Sequence, residues 1–159
     1  MHIKDECGII KKMGKLAKEQ GEIEHGALVL GKIQKREDKI YYLIEDCMIE
    51  NVGGLEQKGH IKIPAKVSYL FLQNCRLRKN IPVIIHTHPK VYWGEEKIKV
   101  AFSPPDMRFM EKFSKYAAKI GDISECLFIV TDSEDIQYCN WDLSIMNYTL
   151  EEDILEKND

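Results

Sequence analysis

Apolar residues near the start recur at helical spacing. Ile9, Ile10, Met13, Leu16 and Ala17 fall on one stripe, which predicts a helix over residues 6–19 with Gly21 as its stop. Residues 23–33, centred on Leu28, Val29 and Leu30, predict a strand. A charged turn at 35–39 leads to a second strand at 40–43 that runs on through 47–49. A turn signal follows at 51–54, and the alternation at 60–63 predicts a third strand. Pro64 opens a second helix over 65–78, with Val67, Leu70, Phe71 and Cys75 on one face. The continuous apolar run 81–85 reads as a buried central strand, and 90–100 as a mostly polar loop. A third helix starts at Ser103-Pro104-Pro105-Asp106 and reaches about residue 120. Residues 127–131 form another buried strand, with 136–141 as its partner. Helices interleaved with strands in this order predict an α/β or α+β domain, its helices packed on a mixed sheet.

Length and charge narrow the function classes. A chain of 159 residues fits one domain, placed at 1–150, with the acidic tail 151–159 expected to fray. The net charge of −3 argues against a general nucleic-acid binder. The basic cluster Lys11, Lys12, Lys15 and Lys18 reads as a solvated helix face. Five cysteines, an odd number without a C-x-x-C pair, argue against a disulfide framework and against a cysteine zinc site. Lys4, Asp5 and Glu6 interrupt any signal peptide, and no apolar run approaches the roughly 18 residues of a membrane span. The expected setting is the cytoplasm, with reduced thiols and no membrane partner.

Chemistry concentrates where the buried strand ends, at His86-Thr87-His88-Pro89. Strand side chains alternate, so His86 and His88 share a face and can converge on one ion while Thr87 points away. Taken alone, two such histidines are as readily ordinary surface hydrogen-bonders. Ser103-Pro104-Pro105-Asp106 has two compatible readings. It is close to a helix capping box, and it can turn the Asp106 carboxylate toward a metal. Glu24 is a candidate general base beside a metal, or a plain strand glutamate, with Glu22 as its neighbour on the same period-2 face. His25 would point away from Glu24 in a regular strand. Other H-x-H sites fit less well. No histidine follows His88, and Pro89-Lys90 stand where a metallo-β-lactamase-like site would carry Asp and His.

Taken together, Glu24, then His86-Thr87-His88-Pro89, then Ser103-Pro104-Pro105-Asp106 resemble the JAMM motif of the MPN (JAB) metalloproteases. The segment from Glu24 through Ala27 to Gly31 is also similar to that family's first strand. The resemblance spans about residues 6–141. It implies a mixed sheet with flanking helices in a cytidine-deaminase-like layered arrangement. It also implies one Zn2+ held by His86, His88 and Asp106, with Glu24 as base and acid and Ser103 assisting at the oxyanion. The segment between His88 and Ser103 is several residues longer than is usual in that family. The extra length reads as a flap carrying Tyr92 and Trp93, and it puts the role of Ser103 in question.

Implied substrates are conjugates of ubiquitin or a ubiquitin-like protein, cut by an isopeptidase or peptidase. Trp93, Glu95 and Glu96 are then candidates to meet the substrate's tail. Alternatives within the family are hydrolysis of a sulfur-carrier protein adduct, and a non-catalytic scaffold inside a larger complex. A homodimer is compatible with each.

Overall fold

A computed structural model describes residues 2–20, 23–49, 63–152 and 155–156. In chain order the elements are β1 (His2–Asp5), α1 (Ile9–Glu19), β2 (Gly26–Arg36), β3 (Lys39–Ile49), α2 (Ala65–Arg78), β4 (Ile81–Thr87), β5 (Val91–Trp93), β6 (Glu96–Ile98), α3 (Pro104–Ile120), β7 (Glu125–Thr131), β8 (Ile136–Asp142), β9 (Asn147–Glu152) and β10 (Leu155–Glu156). The expected stop at Gly21, the turn at 51–54 and most of the strand at 60–63 lie outside the described residues, as does Glu22.

The fold is a mixed α+β domain. Eight strands form one sheet in the order β10-β1-β3-β2-β4-β7-β8-β9, while β5 and β6 form a separate hairpin. β4 runs parallel to β7, and β1 runs parallel to β3 and β10, whereas β2 is antiparallel to both β3 and β4. Strand alternation explains the layers. Ala27, Val29, Val83, Ile85 and Ile129 face α1, whose Ile9, Ile10 and Met13 pack on them. Leu28, Leu30, Ile84 and Phe128 face the other way, onto Phe71 and Leu72 of α2 and Met110, Phe113 and Ala117 of α3. Both faces of the first half of β2, residues 26–31, and of β4 are therefore buried, which is why residues 26–31 and 81–85 read as continuous apolar runs. Each large side chain so buried stabilises the fold by about 1.5–3 kcal/mol.

The sheet curls. The Tyr42 hydroxyl on β3 donates to Glu125 at 2.7 Å and accepts from Asn140 Nδ2 at 2.9 Å, which ties β3 to β7 and β8 across the intervening strands. Gly31 lets β2 approach β4 closely, since a Cβ there would sit 2.7 Å from Val83 Cγ2.

Several boundaries differ from the sequence expectation. The first helix begins at Ile9 rather than at residue 6. Asp5 ends β1, and its carboxylate accepts from the amides of Ile9 and Ile10 at 3.0 and 2.9 Å, so it caps α1 from outside. Gly8, at φ 73°, makes the bend between them. The strand expected from residue 23 starts at Gly26, which leaves Glu24 just ahead of it. Residues 90–100 are not a plain loop, because β5 and β6 pair within them. In the tail expected to fray, 151–152 close β9, and Leu155 and Glu156 pair with Ile3 and Lys4. No helix among the described residues is long and apolar enough to cross a membrane.

Candidate metal centre

The chain direction of three elements brings the site together. β4 and β7 run parallel, and β4 delivers its last side chains at the C-terminal edge of the sheet. His86 shares the face of Ile84 and is 4% exposed. The ladder holds one residue beyond the strand, for the His88 amide donates to the Thr131 carbonyl at 3.0 Å. Thr87 points to the opposite face, as alternation predicts. Its hydroxyl accepts from the His25 amide at 2.8 Å, and its own amide donates to the His25 carbonyl at 2.9 Å. That clip fixes the segment carrying Glu24 against the end of β4.

α3 supplies the third group. Its first turn is a complete capping box. The Asp106 amide donates to Ser103 Oγ at 3.2 Å, and the Ser103 amide donates to Asp106 Oδ2 at 2.9 Å. Pro104 and Pro105 occupy positions where a missing amide costs nothing. The cap and the ligand geometry coexist, because the box turns the Asp106 carboxylate toward the histidines. Asp106 Oδ2 lies 3.2 Å from His86 Nε2 and 2.8 Å from His88 Nε2, and the two ring nitrogens are 3.1 Å apart. The Phe102 ring, 5.8 Å from that of His86, walls one side.

These three residues can hold one metal ion. Three ligand atoms at 2.8–3.2 Å separations sit close to the edge length of about 3.3 Å set by a tetrahedral ion with 2.0–2.1 Å bonds. Hydrogen bonding alone does not satisfy the triangle. Two imidazoles that both donate to Asp106 would bring their N–H groups against each other. Two neutral imidazoles and a carboxylate would instead offer three lone pairs within reach of one divalent cation.

Burial and charge set the proton affinities. Burial would push the Asp106 carboxyl up, but His86 and His88 beside it hold it well below the usual carboxylate range. Burial pushes His86 down, and the nearby Asp106 carboxylate does not fully offset this. At His88 burial also acts downward, but Asp106 and Glu24 together outweigh it and raise the ring. Glu24 is raised chiefly by burial, with Asp106 adding to the effect and His88 opposing it.

Of the residues expected from sequence, Glu24, His86, His88 and Asp106 come together. Glu24 Oε1 is 3.8 Å from His88 Nε2, and its Oε2 is buried with no hydrogen-bond partner among the described residues. Ser103 joins through the capping box, and its hydroxyl finds no acceptor of its own among the described residues. Trp93, Glu95 and Glu96 are exposed on the hairpin and make no hydrogen bond, ion pair or ring contact with the cluster among the described residues.

Two supports were not read from sequence. Lys97 on β6 pairs with Asp132 at 2.6 Å and with Asp135, and Lys90 pairs with Glu134 at 2.7 Å, so the hairpin is anchored to the turn after β7. The hairpin itself carried a legible signal. Trp93 pairs with Glu96 across Gly94-Glu95, and Gly94 at φ 64° is the residue such a two-residue turn requires. The chain matches no known family model and no curated protein sequence.

Proposed function

We propose that this chain is a zinc-dependent isopeptidase of the MPN (JAB) kind, which removes ubiquitin or a ubiquitin-like protein from conjugates. The observation that carries the reading is Glu24. A buried carboxylate with one oxygen lacking a hydrogen-bond partner among the described residues stands next to a convergent His-His-Asp set. Such a group is costly unless it has work to do. Two nitrogens and one carboxylate oxygen suit zinc in an open catalytic site. The layered arrangement, one helix on one face of a curled mixed sheet and two on the other, supports the MPN/JAB assignment.

Bound zinc would supply Lewis acidity toward the scissile carbonyl and the attacking water. The residues of the chain do the rest. His86, His88 and Asp106 would hold the ion, with Asp106 kept ionised by its neighbours. Glu24, its proton affinity raised by burial, accepts the proton of the water and returns it to the leaving amine. Ser103 keeps Asp106 aimed and retains a hydroxyl proton to donate to the developing oxyanion.

The test uses purified protein and its Glu24→Gln variant, with metal content measured for both. Each is assayed on ubiquitin-like fusions, on isopeptide conjugates and on sulfur-carrier adducts. About one zinc in both proteins, with cleavage in the wild type alone, supports the reading, and the preferred substrate separates isopeptidase from sulfur-carrier hydrolase. Failure of either protein to take up zinc after reconstitution would overturn it and favour a scaffold.

A further inference from the structure

We infer that the chain carries a docking groove for an acidic peptide segment of a partner protein, on the α1 side of the sheet, away from the metal centre. A groove of about 990 Å³ runs between α1 and the turn joining β7 to β8. Its apolar lining includes Ile10 and Ile136, and Gly14 adds no side chain to fill it. Lys11, Lys15 and Lys18, spaced i, i+4 and i+7, form one stripe along α1 at its wall, with Lys12 beside them, and all four are exposed.

The charge balance of the groove decides the partner. Three acidic residues also line it against four lysines, and each has partners of its own. Asp5 accepts from the first amides of α1, Glu134 pairs with Lys90, and Asp135 shares Lys97 with Asp132. On the opposite wall, Lys15 has only an exposed contact with Glu19 at 4.0 Å, and Lys11 and Lys18 have no ion-pair partner among the described residues. The net field offered to a ligand is therefore positive over an apolar floor. That combination fits a chain alternating acidic and apolar side chains. Nucleic acid fits less well. Among the described residues no arginine and no aromatic ring lines the groove, so none of them grips a phosphate bidentately or stacks on a base.

The probe is a fluorescein-labelled peptide built of Glu, Asp and Leu, titrated with the intact protein by fluorescence anisotropy. A labelled oligothymidylate serves as the competing class. The expected result is saturable peptide binding that weakens with added salt and falls by about tenfold or more in a K11Q/K15Q/K18Q variant. A second variant, Gly14→Leu, fills the groove and leaves the lysines in place, and it too is expected to lose the peptide. Thermal melts of both variants verify folding. Absence of saturable binding, undiminished binding in either folded variant, or equally tight binding of oligothymidylate would overturn the inference.

Discussion

Single side chains carry the sharpest consequences. Glu24 is expected to be dispensable for metal and required for hydrolysis, because it neighbours His88 without belonging to the converging set. Glu24→Gln should keep full zinc content and lower kcat by about 10²–10⁴-fold, the range for losing a general base. Metal analysis beside a single-turnover assay checks both halves. Ser103 acts through Asp106 as well as through its own hydroxyl. Ser103→Ala removes the cap and should cost about 0.5–2 kcal/mol of stability. Zinc should be held nearly as before, because the Asp106 carboxylate accepts from the Ser103 backbone amide, which the substitution keeps. A melt and a competitive zinc titration read these separately, and a clear loss of zinc affinity would show that the hydroxyl too is needed to aim Asp106. The histidine pair and Asp106 were legible because H-x-H and S-x-x-D encode geometry locally, through strand alternation and helix capping. Phe102 against His86 was not, since nothing in its own segment marks that contact.

At the level of elements, β2 and the hairpin make contrasting tests. Gly31 sits where β2 meets β4, with Val83 Cγ2 2.7 Å from the place of any Cβ. Gly31→Ala should therefore destabilise by about 1–3 kcal/mol through overpacking, as chemical denaturation would show. The β5–β6 hairpin is different. Trp93 is 82% exposed, and among the described residues the hairpin tip makes no hydrogen bond, ion pair or ring contact with the metal cluster. Deleting residues 92–96 should leave zinc content and folding intact while raising KM for conjugates. Unchanged kinetics would remove the hairpin from substrate recognition. Its helices and central strands followed from periodicity, and α2 starts and stops where Pro64 and the positive-φ Lys79 place it. β1, β9 and β10 did not, because these strands at or beside the margins of the sheet are defined by the strands they pair with rather than by their own pattern.

For the molecule as a whole, acid stability and thiol reactivity report on tertiary structure. Burial acts to raise Asp132, but Lys97 and the amides of Glu134 and Asp135 together hold it below its ordinary value of 3.8. A depressed folded value means that its contribution is present above 3.8 and fades as pH falls through the folded value. The wild type should thus lose stability on acidification below about pH 4, and Lys97→Met should show a smaller loss over that range, read as melting temperature against pH. Burial pushes the Cys75 and Cys139 thiols to about 12 and the Cys126 thiol well above its ordinary value. Among the four described thiols, a native-state alkylating reagent should therefore label Cys7, the exposed one, and spare the others until the protein unfolds.

The sequence by itself determined the layered mixture of helices and strands and the identity of the converging ligands. Both follow from periodicities of 2 and 3.6 residues and from caps that act within a few positions. Tertiary structure alone decided which ends of the chain share a sheet, how the sheet curls through Tyr42, Glu125 and Asn140, and that His25 clips to Thr87 to set Glu24 beside His88. Those contacts join residues 60 or more positions apart, where local pattern carries no information and packing and hydrogen-bond satisfaction choose the partner.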